Sequence, residues 1–244
     1  MFRRMARSLT AFVMIMSGAV VGVGAAAGTA HADECYTWSR TLSQGSSGSD
    51  VTQLQIRVAG WVTSGERLSY DGQYGARTAA AVKKFQSAYG LTADGIAGSQ
   101  TFNKLYALQD ADCTPIHFTY GELNRCNSDW SGGAVSAATA KANALKTMWK
   151  LEAMRHALGD VPISISSGFR SYACNSAVGG SSTSRHLYGD AADLTGSPSL
   201  CRLAQQARTH GFSEILGPGY PGHNDHTHVA FDPSPYWSAP SCGI

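Results

Sequence analysis

The stretch DGQYGARTAAAV, starting at Asp71, recurs 23 residues later as DGIAGSQTFNKL, starting at Asp94. Both copies read D-G-x-x-G-x-x-T and run into a helical pattern. Aspartate and glycine form turns, and Thr78 and Thr101 fall near the helix starts. Ahead of the first copy, Val51, Leu54, Gln55 and Val58 recur at helical spacing. Between the copies, Ala81, Val82, Phe85 and Tyr89 do the same. One helix followed by two turn–helix units predicts a small three-helix bundle over residues 41–108.

The chain opens with Arg3, Arg4 and Arg7, continues through a stretch rich in Ala, Val and Gly, and reaches Ala30-His31-Ala32, an A-x-A cleavage pattern. Residues 1–32 therefore read as an export signal, outside the fold. The Arg3-Arg4 pair leaves the export route open. Cleavage after Ala32 leaves 212 residues with 16 basic and 17 acidic side chains. That balance offers no basic excess for nucleic acid. No later segment is apolar enough to span a bilayer. A secreted, monomeric protein of two domains is expected.

All six cysteines lie in the mature part: Cys35, Cys113, Cys126, Cys174, Cys201 and Cys242. An even count in an exported chain predicts disulfides. None forms a C-x-x-C pair, which argues against a cysteine zinc site. Spacing alone does not choose the partners. Pairing in sequence order is attractive because a Cys35–Cys113 bridge closes off one domain.

The chain turns irregular from Cys113 to Phe118, which places the linker there and divides the mature chain into 33–112 and 113–244. AATAKANALKTMWKLEAMRHAL then reads as a long amphipathic helix with Leu145, Met148, Trp149, Leu151 and Met154 as its core residues. His156, near its end, is expected to pack or to serve the helix terminus. VPISISSGFR alternates as a strand does. AADL, FSEIL and HTHVAF read as further strands, and SLCRLAQQARTHG as a helix stopped by Gly211. The order predicts an α+β domain with a small, mostly antiparallel sheet flanked by helices.

Metal chemistry is written in two places. SRHLYGDAADL contains His186-x-x-Gly189-x-Ala191-x-Asp193, and GHNDHTHVAF contains His226-x-His228. In a strand, His226 and His228 share one face while Thr227 points away. His186, Asp193 and one histidine of the pair, with a water, make an open tetrahedral zinc site. Nitrogen and carboxylate donors suit zinc without excluding other divalent ions. These patterns alone do not say which of the clustered histidines is the ligand. His117 and His210 have no motif around them and read as structural.

SSGSDVTQLQ and DGQYGARTAAAVKKFQSAYGLTADGIAGSQTF resemble the peptidoglycan-binding domain of bacterial wall hydrolases. That resemblance implies wall binding without assigning any single contact. FTYGELNRCNSDWSGG, SSGFRS, SRHLYGDAADL and EILGPGYPGHNDHTHV resemble the zinc D-Ala-D-Ala carboxypeptidases of the M15 metallopeptidase family. Their metal site is similar to that of lysostaphin-type peptidases and of the hedgehog zinc domain. The resemblance implies one Zn2+ held by His186, Asp193 and His228, and disulfides joining neighbours in sequence. It implies Asp225 as the base, where other branches carry a glutamate. His223 matches a histidine implicated in catalysis, and His226 is placed to bond the water or the developing oxyanion. Whether Asp225 or His223 is the main proton carrier stays open. Arg170 is implied to hold the substrate carboxylate, for which a guanidinium fork is well matched.

The expected function is removal of the last D-Ala from peptidoglycan peptides by an enzyme held on the wall. Two other functions fit the same residues: an endopeptidase cutting cross-bridges, and a wall-binding protein whose zinc domain is not catalytic. The chain has no S-x-x-K or K-T-G motif, so a serine acyl-enzyme is not expected.

Overall fold

The computed structural model describes residues 35–244, and the segment read as an export signal lies outside them. Among the described residues no helix is long and apolar enough to cross a membrane. They form a mixed α+β structure with seven α-helices and one five-stranded sheet.

The first three helices are α1 (Ser49–Arg57), α2 (Ala76–Ala88) and α3 (Ser99–Ala107). They close around a core that includes Trp38, Leu54, Phe85, Phe102 and Leu105. The repeat has a physical cause that its turn residues do not reveal. A buried glutamine in the helix before each turn holds that turn in place. Gln55 Nε2 reaches Asp71 Oδ1, the Gln73 carbonyl and Thr78 Oγ1, and Gln55 Oε1 accepts the Gly72 N–H. Gln86 Nε2 reaches Asp94 Oδ1, the Ile96 carbonyl and Thr101 Oγ1, and Gln86 Oε1 accepts the Gly95 N–H. Gly72 and Gly95 both have positive φ, 70° and 76°, where a side chain is strained. Thr78 and Thr101 therefore serve as partners of the glutamines rather than as helix caps. Gln86→Leu keeps the volume but leaves the Gly95 N–H without its partner. It is expected to cost about 3 kcal/mol and to lower the unfolding midpoint in a denaturant titration.

A short helix, α4 (Tyr120–Leu123), begins with a capping box in which Thr119 and Glu122 satisfy each other's backbone groups. The long helix α5 (Ala137–Ala157) then serves two cores. Trp149 and Ala153 join the core of the first three helices, while Met148, Leu151 and Met154 join a second core. Gly60 makes the close approach possible, because a Cβ there would lie 2.9 Å from the Lys150 Cα.

The second core lies against one face of the sheet. Its strands are β1 (Ser164–Ser167), β2 (Ala191–Thr195), β3 (Glu214–Leu216), β4 (Thr227–Ala230) and β5 (Tyr236–Ser238). They lie in the order β1-β2-β4-β3-β5, and all neighbours are antiparallel except β3 and β5. Ile165, Ala192, Leu194, Ile215 and Val229 turn one way, into the core. By the alternation of strand side chains, Asp193, Glu214 and His228 turn the other way. Helices α6 (Tyr172–Ala177) and α7 (Leu200–Ala207) complete the structure. The α7 helix ends four residues before Gly211, which takes a left-handed conformation at φ 78°. Helices α4 and α6 and strand β5 were not expected from the pattern.

The disulfides are Cys35–Cys113, Cys126–Cys174 and Cys201–Cys242, pairing neighbours in sequence. The first spans 78 residues and ties the start of the described chain to the segment after α3.

Candidate metal centre

His186 sits on a 3₁₀ turn, Arg185–Tyr188, that ends at Gly189. Gly189 has φ 76°, and a Cβ there would run into the backbone of Ala140. This explains the glycine of H-x-x-G-x-A-x-D: only glycine allows the turn to lie so close to α5. Arg185 and Asp190 form an ion pair across the turn. The chain then enters β2, where Asp193 stands directly opposite His228 of β4. Strand pairing thus joins the two motifs.

His186, Asp193 and His228 are all buried. His186 Nε2 lies 3.0 Å from Asp193 Oδ1 and 3.1 Å from His228 Nδ1, and His228 Nδ1 lies 2.9 Å from Asp193 Oδ1. Three donors at the corners of one tetrahedral face around zinc stand roughly 3.3 Å apart, close to this spacing. Among the described residues this is the one group of His, Cys, Asp and Glu side chains with metal-binding geometry.

The outer hydrogen bonds fit the same purpose. His186 Nδ1 donates to the Gly168 carbonyl at 2.5 Å, which leaves Nε2 as the lone-pair donor. His228 Nε2 lies 3.1 Å from Glu214 Oε1, which leaves Nδ1 as the donor. Asp193 Oδ2 accepts from Arg170 Nη2 at 2.6 Å, so Oδ1 faces the two histidines. Burial lowers the His186 pKa. Burial also opposes charge on His228, but bonds to Asp193 and Glu214 outweigh it and push His228 up to about 9. Asp193 feels the same contest. Burial raises it, and His186 and His228 together hold it well below the usual carboxylate range. Burial disfavours charge at all three groups, and the carboxylates of Asp193 and Glu214 offset it at His228.

Glu214 was not singled out in the sequence. The signal was present in FSEIL, where its alternation with the core residue Ile215 places Glu214 on the metal face. Glu214→Gln keeps the size but weakens the grip on His228. It is expected to weaken zinc binding by roughly 10- to 100-fold, measured by competition with a chromogenic chelator.

The remaining candidates divide into those that approach the donors and those that do not. His226 Nε2 lies 3.7 Å from Asp193 Oδ1, and its Nδ1 lies 2.8 Å from Asp225 Oδ1. Asp225 was expected to act as the base itself. Its side chain is 88% exposed, and its bond to His226 is the main cause of its lowered pKa. His226, not Asp225, is the group next to the donors. His223 Nδ1 donates to the Pro221 carbonyl, and its ring lies 4.7 Å from that of His226 and 6.0 Å from that of His228. Burial lowers the His223 pKa. Arg170 uses Nε on Ser167 Oγ and Nη2 on Asp193, which leaves three of its five N–H groups. His117, His156 and His210 lie elsewhere, paired respectively with Glu152, Asp160 and the Gln206 carbonyl.

Residues 116–230 match the family model for peptidase M15, and residues 47–105 match that for a putative peptidoglycan binding domain. The chain is 71% identical to the zinc D-Ala-D-Ala carboxypeptidase of Streptomyces albus G over 213 residues, which are 87% of this chain and 84% of that protein. The chain belongs to the M15 peptidase family. A second likeness covers a shorter stretch of this M15 peptidase. An N-acetylmuramoyl-L-alanine amidase of Bacillus licheniformis is 60% identical over 65 residues, 25% of this chain and 18% of that protein.

Proposed function

We propose that this M15 peptidase is a secreted, zinc-dependent D-alanyl-D-alanine carboxypeptidase. It hydrolyses the terminal D-Ala-D-Ala bond of peptidoglycan peptides. The observation that carries this reading is the buried triangle of His186, Asp193 and His228 with Arg170 bonded to its carboxylate. A zinc ion held there would supply a Lewis acid for the scissile carbonyl and a water of lowered pKa.

The chain's own residues do the rest. The Asp225 carboxylate holds the proton of His226 on Nδ1, which leaves Nε2 as a base facing the site. His226 takes the water proton and returns it to the leaving amine of the terminal D-Ala. Asp225 stabilises the imidazolium that forms in between. His223, when protonated on Nε2, can donate to the oxygen on which negative charge develops. Arg170 turns its free N–H groups to the terminal carboxylate, while its bond to Asp193 keeps that ligand in register. A free carboxylate beside the cut bond selects the end of a peptide over its middle.

We read residues 33–112 as a three-helix wall-binding domain and 113–244 as the peptidase domain. Holding the enzyme on the wall raises the local concentration of its substrate. Mass spectrometry of products from monomeric and cross-linked wall fragments tests the reading. Loss of one alanine from monomeric pentapeptide stems is expected. Cleavage of cross-links with stems left intact would instead show an endopeptidase.

A further inference from the structure

A cleft of about 670 Å3 opens where the segment between α1 and α2 meets the residues after β4. The chemistry above does not use it. Its walls include Arg67, Tyr70 and Arg77 from the first segment and Phe231 and Pro233 from the second. The Arg67 guanidinium lies 5.3 Å from the centre of the Phe231 ring, and its Nη1 donates to the Asp232 carbonyl at 2.7 Å. Helix α5 brings two more cations to the same rings. The Lys146 ammonium lies 5.1 Å from the Tyr70 ring, and the Lys150 ammonium lies 5.1 Å from the Phe231 ring and 5.4 Å from the Phe212 ring.

This positive charge has little to balance it. Lys150 is 4% exposed, and among the described residues its ammonium meets ring faces but no hydrogen-bonding or ion-pairing partner. Burying a cation in that way is costly. Lys146 stands one turn away on the same helix face, where like charges repel, and Arg67 adds to the repulsion. Burial pushes Lys150 down to about 8, which leaves it charged at pH 7. Arg77 lies in the first turn of α2, a turn with no acidic residue, at the positive end of the helix dipole. The nearby acids are engaged elsewhere. Asp190 pairs with Arg185, and Glu66 accepts the Thr63 N–H at 3.2 Å.

We propose that this cleft is an anion site, and that its ligand is the phosphate group of an organic ester. A phosphate offers several oxygens at once to converging donors, and the guanidinium fork of Arg77 matches two of them. A carboxylate brings fewer oxygens and less charge against four cations. The cleft has the size of a small-molecule site, so it also takes the organic part of the ester, which packs against Tyr70 and Pro233. The site lies apart from the zinc ligands and needs no turnover.

The test is calorimetric titration of the zinc-loaded protein at about 0.15 M salt. The probes are glycerol 3-phosphate, a phosphodiester-linked hexamer of glycerol phosphate, inorganic phosphate and acetate. Wild type is compared with Arg77→Gln, which changes an exposed side chain, and Lys150→Met, which keeps the length and removes the buried charge. Zinc content and circular dichroism verify that both variants fold. Arg77→Gln is expected to weaken glycerol 3-phosphate binding by about 10-fold, and Lys150→Met by about 5-fold. Tighter binding of the hexamer than of the single ester identifies a polymer as the source, and the reverse order identifies a small ester. Either order supports the site. Inorganic phosphate or acetate bound as tightly as the ester would overturn the assignment of the ligand. Ester binding that is unchanged in both variants, or that is lost when zinc is removed, would overturn the site.

Discussion

Replacing His226 by asparagine is expected to lower kcat by roughly 100- to 1,000-fold while the chain keeps its zinc. His226 is the side chain that joins the exposed Asp225 to the buried donors, at 2.8 Å on one side and 3.7 Å on the other. Asparagine can still bond Asp225, but it carries no base at the position of Nε2. The ligand triangle does not use His226, so metal binding should persist. The comparison with Asp225→Asn is informative. If Asp225 acts through the imidazole, its loss should cost less than that of His226, because the ring remains. A larger loss at Asp225, measured as D-Ala release by zinc-loaded enzyme, would restore the carboxylate as the direct base.

A second large effect is expected at Asp193. Asp193→Asn preserves shape and removes the one anionic donor of the triangle. It also leaves Arg170, only 17% exposed, without its ion pair. Both consequences act against a cation at the centre. Zinc affinity should fall by roughly 1,000-fold or more, since binding free energy depends on a deprotonated ligand set, and D-Ala release should fall with it. Metal analysis after dialysis, with circular dichroism to verify the fold, checks this. A variant that retains zinc and turnover would remove Asp193 from the ligand set.

The parts of this site that lie within short motifs were legible in the sequence, and the parts created by strand pairing were not. The alternation of His226 and His228, and the H-x-x-G-x-A-x-D pattern, are local properties of one turn and two strands. That Asp193 meets His228 depends on the register of β2 against β4, which no single segment encodes. Glu214 and the Gly168 carbonyl reach the ligands across the sheet or from a loop, so their roles became visible only in the fold. Asp225 was identified by its position before His228, but its carboxylate turns to His226 rather than to the donors.

The elements divide in the same way. Helix α5 was readable because it is long and its core residues recur. Helix α4 is four residues long and rests on one capping box. Strand β5 has three residues, set between prolines and the C-terminal turn, too few to display a period. The D-G-x-x-G-x-x-T repeat announced its turns, yet Gln55 and Gln86 looked like ordinary helical positions. Only their burial shows that they hold those turns together.

The central claim is that His186, Asp193 and His228 hold a zinc ion on which peptide cleavage depends. It is tested most directly by stripping the protein with a chelator and adding zinc back, while D-Ala release from Nα-acetyl-L-Lys-D-Ala-D-Ala is followed. Activity should vanish on stripping and return in proportion to zinc, saturating at one ion per chain. D-Ala release that persists in metal-free protein would contradict the account.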